Sequence, residues 1–331
     1  MPTHRLDVLA IGNAIVDVIA DASNDFVAAQ GVPKGAMRLI DEAEAERLYQ
    51  AMGPARELSG GSAANTVAGL AALGLKAGFI GQLADDQLGQ IFTHDIRSLG
   101  VEFDTAPRND VGATARCLIL VTPDAQRTMN TFLGAAQMLE PASVDPAQVA
   151  AAKIVYLEGY LWDPAAPRAA MYKAMDAARA AGTKVAFTLS DSFVVDRHRA
   201  DLVRLLDARQ IDTLFANEAE ISQLANTVAF DDAINAIASK VETLVVTRSA
   251  HGAVAVRGGE QARVPAEPIK KLVDTTGAGD LFAAGFLAGE VRELGLKRSL
   301  KLGAIAAAEV IQHYGARPEK DLKALAGNLL P

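Results

Sequence analysis

Val273-Asp274-Thr275-Thr276-Gly277-Ala278-Gly279-Asp280 opens the long apolar run 281–291, and this junction governs the reading of the whole 331-residue chain. Two glycines flanking an alanine let the backbone lie close to a ligand and turn successive N–H groups the same way. At a helix start those amides lack partners and the helix dipole adds partial positive charge, so both favour anionic oxygen. Asp280 falls in the first turn. Its carboxylate is aimed where the amides point, which suits a base that takes a proton from a hydroxyl. The plainer reading is a Gly-rich loop followed by a stabilising acid at a helix start.

Working outward, short apolar or β-branched runs alternate with helical ones. The first strand spans 7–13, and further runs at 77–81, 153–157, 183–189, 213–216 and 243–246 read as strands. Between them, 63–73, 86–99, 165–181, 200–209, 219–225 and 230–240 carry helical patterns. That rhythm predicts βαβ units and a mostly parallel sheet, a three-layer α/β/α arrangement. Two stretches break it: 36–40 is strand-like, and 114–121 with 126–132 reads as a hairpin around Pro123-Asp124. Hairpin strands fit poorly inside a parallel series. They predict a small inserted β-sheet, built from insertions around 13–60 and 105–135, forming a lid on one domain that spans 1–331.

Composition bounds the partners. With 32 Lys and Arg against 40 Asp and Glu, the net charge is −8, and no basic run favours nucleic acid or a membrane surface. Half the residues are apolar, enough for a large core. No stretch approaches the ~20 apolar residues that cross a bilayer. The single cysteine, Cys117, allows no internal disulfide and reads as a small core residue, so a cytoplasmic setting is expected. Rival motifs fail on inspection: there is no Gly-Lys dipeptide for a Walker loop and no G-x-S-x-G elbow. Phe282 stands where a dinucleotide fingerprint needs glycine, and the five histidines are too scattered for zinc spacing.

Four further segments carry polar chemistry. Gly60-Gly61-Ser62-Ala63-Ala64-Asn65 enters an apolar helix, so a polar ligand can lie on bare backbone beside Asn65, or Ser62 can simply cap. Gly12-Asn13-x-x-x-Asp17 puts a carboxylate inside an apolar run, where it needs a partner such as a ligand diol or a backbone N–H. Asn217-Glu-Ala-Glu220 follows a strand and suits either hydrated Mg²⁺ near phosphates or a capping box. Thr247-Arg-Ser249-Ala-His-Gly252 ends another strand in a turn that can meet nucleotide phosphates.

These pieces, in this order, resemble the ribokinase-like (PfkB) family of sugar and nucleoside kinases. Gly60-Gly61…Asn65 is similar to its N-terminal signature, Asp274 to Asp280 to its C-terminal signature, and Asn217-x-x-Glu220 to its magnesium and phosphate motif. Within the family the likeness is strongest to the adenosine kinases, through Gly12-Asn13-x-x-x-Asp17, through Arg127 with Asn130-Thr-Phe-Leu-Gly-Ala-Ala136, and through the segment ending Gly315-Ala-Arg317-Pro318. The chain departs from them at Met37 and Arg38, where they carry Gln and an apolar residue, and at Thr114, where some carry cysteine.

The resemblance implies ATP-dependent phosphorylation of a ribonucleoside 5′-hydroxyl, adenosine foremost, with a monomer or homodimer acting on small molecules alone. It assigns the base to Asp280, stabilisation of the transferring group to the Gly277, Ala278 and Gly279 amides and Arg127, and ribose binding to Asn13, Asp17, Gly60, Gly61 and Asn65, with Thr114 beside them. Leu133, Ala135, Leu161 and Phe193 are expected to form a slot for the base. On the nucleotide side it implies Asn217, Glu220, Thr247, Ser249, Gly252, Thr275 and His313. Glu220 would hold Mg²⁺ through water, and Asp274, Thr276 and Gly315 would hold a monovalent cation such as K⁺. A free-sugar kinase of the ribokinase or fructokinase kind is the alternative, and a non-catalytic ligand sensor on the same fold is a second.

Overall fold

The computed structural model describes residues 5–124 and 126–330. Its aliphatic runs form β1 (Leu6–Ile11), β2 (Ile15–Asp21), β3 (Met37–Leu39), β4 (Ala55–Gly60), β5 (Ala77–Ile80), β6 (Glu102–Phe103) and β7 (Ala115–Val121). They continue with β8 (Arg127–Phe132), β9 (Ala152–Glu158), β10 (Lys184–Thr188), β11 (Thr213–Asn217), β12 (Thr243–Thr247), β13 (Ala253–Arg257) and β14 (Glu260–Val264). Nine of these make one sheet in the order β14-β13-β12-β11-β10-β9-β1-β5-β6, parallel throughout except for the β12-β13-β14 edge.

Strand residues alternate between two cores, one on each face of this sheet. Leu214 and Ala216 face one core and Phe215 the other; Val185 and Phe187 oppose Ala186 in the same way. Helices cover both faces, so the three-layer expectation holds. The helices Ser62–Ala72, Ala278–Val291 and Leu296–Val310 lie on one side, and Ala165–Ala181, Ser192–Asp207, Glu218–Ala225 and Phe230–Ala238 on the other. Strands buried on both faces must be apolar at every position, which is why they read as continuous runs rather than alternating ones.

The remaining five strands form a smaller sheet in the order β3-β8-β7-β2-β4. The expected hairpin is β7-β8, antiparallel, and the strand-like 36–40 is β3, parallel to β8. The sequence reading ended the first strand at Asn13 and assigned no strand to 15–21; in the structure Gly12, Asn13 and Ala14 separate β1 from β2, which belongs to the second sheet. The β13-β14 hairpin also went unread, although Gly258-Gly259, both at positive φ, marks its two-residue turn. Among the described residues no helix is long and apolar enough to cross a membrane.

The helix Ala278–Val291 is apolar on nearly every face because it is buried on nearly every face. It crosses Leu296–Val310 through glycines: a Cβ at Gly285 would collide with the Leu302 carbonyl, and one at Gly289 with Ser299. We expect Gly285→Ala to destabilise the fold by about 1–3 kcal/mol through overpacking, with a lowered Tm. A Tm unchanged from wild type would show that this crossing tolerates a methyl group.

Candidate active site

In a parallel sheet the strands' carboxyl ends and the helix starts share one edge, so polar ligands collect there. Here β1 hands over to Gly12 and Asn13, β9 ends at Glu158, β10 leads to Ser190, β11 ends at Asn217 and β12 at Thr247. With the smaller sheet and residues 275–280, this edge encloses a cleft of about 740 Å³.

Asp280 lies in the cleft. Its Oδ1 accepts from Ser62 Oγ at 2.6 Å and its Oδ2 from Asn65 Nδ2 at 2.9 Å, both from the first turn of Ser62–Ala72. Burial pushes its carboxyl up to about 6, against those two hydrogen bonds and the nearby Arg317 charge. The adjoining loop turns at Gly277, whose φ of 76° and whose contact with Ala316 both exclude a side chain. The amides of Gly277, Gly279 and Asp280 have no acceptor among the described residues, whereas Ala278 donates to the Thr275 carbonyl at 3.2 Å. The anion-binding set therefore gains Asp280 and loses Ala278: a helix begun by a tight turn spends its first amide closing that turn.

Across the cleft, the Asp17 carboxylate accepts no hydrogen bond from any described residue. Burial pushes it up to about 6, with Arg317 and Arg127 drawing it down and Asp280 raising it. A Cβ on Gly60 would lie 2.5 Å from that carboxylate, so Gly60 makes room for Asp17 and does not itself line the cleft. Gly61 lines it at φ 96°, where a Cβ would strike the Asn13 carbonyl.

Asn13 and Asn65 line the cleft too, but their amide nitrogens are occupied by acids. Asn13 Nδ2 donates to Glu158 Oε1 at 2.6 Å, and Glu158 Oε2 also takes the Ala63 N–H at 2.8 Å. Burial pushes Glu158 up to about 7. Asn65 keeps a buried Oδ1 with no partner among the described residues.

The slot differs from the expected one. Leu133 and Phe193 do line the cleft, together with Met37, Leu39, Ile119 and Met129 from the smaller sheet. Ala135 is instead fully buried against Ala84 and Val111, and Leu161 belongs to the main core. Thr114 points away as well: its hydroxyl donates to Asp86 at 2.7 Å and its N–H donates to the same carboxylate at 2.8 Å, which anchors the start of β7. A local sequence pattern marks these positions as apolar or small, and only the packing decides which side they face.

Arg127 does not reach into the cleft. Its Nη1 is ion-paired with Asp274 and contacts Thr276 Oγ1 at 3.2 Å, while Nε and Nη2 are buried without partners among the described residues. Gly315 donates its N–H to the same Asp274 carboxylate at 3.2 Å, and Thr276 donates its N–H and hydroxyl. The three residues expected around a monovalent cation thus converge on a carboxylate already facing a guanidinium.

On the nucleotide side Asn217, Glu220, Thr247, Ser249 and Thr275 line the cleft. Asn217 and Glu220 form a reciprocal capping box, with Asn217 Nδ2 also donating to Glu220 Oε1 at 2.6 Å; burial pushes Glu220 up to about 7. Gly252 lies outside the cleft, its bare Cα passing close to the Val264 carbonyl at φ 82°. His313 is outside it also, its ring held by Glu309 at 3.1 Å.

Three residues that shape the site were given no such role by the sequence reading. Ser62 holds Asp280, Glu158 anchors Asn13, and Arg317 donates to the Ala64 carbonyl at 2.7 Å and Ser59 Oγ at 2.9 Å while facing Asp17 and Asp280. Glu158 had a usable signal, since it terminates an apolar strand as Asn217 does.

A carboxylate poised beside free helix-start amides, at the edge of a parallel sheet, suits phosphoryl transfer to an alcohol. The pfkB family carbohydrate kinase model matches residues 7–322, and the chain belongs to that family. It is 48% identical to the adenosine kinase of Sinorhizobium meliloti, with a TM-score of 0.89 over 97% of this chain and 98% of that one. A probable sugar kinase from Rhizobium etli CFN 42 is 47% identical, with a TM-score of 0.90 over 98% of each chain. The adenosine kinase of Saccharomyces cerevisiae is 28% identical over 93% of this chain and 95% of its own. The sensor alternative is thereby set aside.

Because Asp17 has a raised pKa in the folded chain, it contributes stability below its unfolded value of 3.8 that is lost as pH rises through about 6. We therefore expect Asp17→Asn to stabilise the protein at pH 7, on the order of 1 kcal/mol, and to have little effect at pH 4. A variant less stable than wild type at pH 7 would show that Asp17 has a structural partner.

Proposed function

We propose that this kinase transfers the γ-phosphoryl group of ATP to the 5′-hydroxyl of a ribonucleoside, adenosine foremost, as a cytoplasmic purine-salvage enzyme. One observation carries the reading: in the acceptor half of the cleft an unpartnered carboxylate, Asp17, adjoins an apolar wall that includes Met37, Leu39 and Phe193. The carboxylate suits a ribose diol, and the wall suits a flat, weakly polar base that a free sugar would leave facing water. Arg197 is the one Lys or Arg among the described cleft residues, and it is paired with Asp163 at 2.9 and 2.5 Å. An acceptor bearing phosphate or carboxylate would meet carboxylates without a free cation, so the cleft favours a neutral one.

Asp280 takes the proton of the attacking hydroxyl, with Ser62 and Asn65 fixing its two oxygens on that side. The Gly277, Gly279 and Asp280 amides face the transferring phosphoryl oxygens. Phosphoryl transfer depends chiefly on such positioning and charge stabilisation. Glu220, buried at the cleft wall with its oxygens oriented by Asn217, fits the outer coordination of hydrated Mg²⁺, which neutralises phosphate charge when bound. Arg127 would serve the phosphates only after releasing Asp274, which gives it a positioning role in the conformation described.

Asp280→Asn is expected to lower kcat about 10²–10⁴-fold with the fold intact by circular dichroism; near-normal turnover would remove Asp280 from the base role. Wild-type kcat/KM should fall as pH drops below about 6, where Asp280 is protonated. ADP release measured across adenosine, inosine, guanosine, ribose and fructose tests the acceptor. Adenosine should give the highest kcat/KM, and a clear preference for ribose or fructose would replace the nucleoside reading with a free-sugar one.

A further inference from the structure

A second cavity, of about 650 Å³, lies behind the smaller sheet. β7 separates it from the cleft: Cys117 and Ile119 line the cleft, and Arg116, on the opposite face of the strand, lines this cavity. Arg116 is only 6% exposed, with its guanidinium 5.8 Å from the rings of both Tyr49 and Phe132. Among the described residues its one ion pair is a long contact, 3.5 Å from Nη1 to Glu46, and its Nε is buried with no acceptor. Glu46 and the two rings compensate this guanidinium in part, and an oxyanion lying across its fork would add charge-assisted hydrogen bonds.

Two helices start at the same cavity. Glu42 and Ala43 open Glu42–Ala51, and Gln87 and Leu88 open Gln87–Ser98. Of the amides in these first turns, the caps Asp41 and Asp86 accept only the third-position ones, of Glu44 and Gly89, both at 2.8 Å. The first two amides of each helix have no acceptor among the described residues. Three carboxylates also line the cavity. Asp86 is spent on Gly89 and Thr114. Glu42 and Glu46 are exposed, and Glu46 stands where an incoming anion would meet Arg116.

We propose that this cavity is a binding site for a small oxyanion, a phosphoryl or carboxylate group, bridging Arg116 and the two helix starts. Buried guanidinium and fixed amides supply the attraction, and Glu46 is the displaceable placeholder. The site stands apart from the cleft and does not rest on the acceptor assignment.

The test follows the Arg116 Nε–H resonance by ¹⁵N NMR, assigned by its loss in Arg116→Lys, during separate titrations of the intact protein with inorganic phosphate and with acetate at millimolar concentrations. A saturable shift with phosphate alone assigns a phosphoryl ligand, and one with acetate assigns carboxylate recognition. Glu46→Gln, an exposed change that leaves the fold alone, should tighten the midpoint roughly two- to fivefold by removing the competing charge. An Arg116 resonance that moves with neither anion, or a midpoint unaltered by Glu46→Gln, would overturn the proposal.

Discussion

The structure depends on two helix starts brought to one point. Ser62–Ala72 and Ala278–Val291 pack so closely that a Cβ on Gly69 would lie 2.7 Å from Ala284 and Leu281, and their first turns meet at Asp280. Helix starts carry partial positive charge and unsatisfied donors, so two of them side by side repel unless acid is placed between. Asp280 takes side-chain hydrogen bonds from the first helix while standing in the first turn of the second, and Glu158 takes the Ala63 N–H from below. The proposed catalytic arrangement and the cohesion of the core thus share one set of contacts.

Negative charge is concentrated around that point. Asp17, Glu158, Glu220 and Asp280 all border the cleft, and burial raises the pKa of each. Arg317, reaching in from beyond the last long helix, is the buried counter-charge that faces Asp17 and Asp280. Acids held this way are poised to change protonation near neutrality, which is where a proton-accepting group is most effective. The cost falls on stability, a common feature of sites selected for function.

Much of this was legible from the chain alone, for identifiable reasons. The Gly277-Ala278-Gly279-Asp280 turn and the Asn217-Glu220 box are local devices whose spacing fixes their geometry, so both could be read without tertiary information. The parallel sheet was legible because its strands are buried on both faces. What escaped depends on contacts between distant segments. Thr114 and Ala135 turn away from the cleft through packing against Asp86 and Ala84, and Arg127 is captured by an acid 147 positions later. Ser62 and Arg317 acquire meaning only once the edge of the sheet has been assembled, as no residue within a few positions of them signals their partners. Glu158, at the end of an apolar strand, could be marked as polar but not as the partner of Asn13.

The three residues joining β1 to β2 carry the chain from the main sheet into the smaller one with no slack. Asn13, the middle residue, is tethered through both its backbone and its side chain to Glu158 at the tip of a neighbouring strand. Any tilt of the smaller sheet against the larger one would therefore pivot on a residue that also lines the cleft. Under the proposed reading, holding an acceptor and moving the cover would be coupled through that one residue, with no separate trigger.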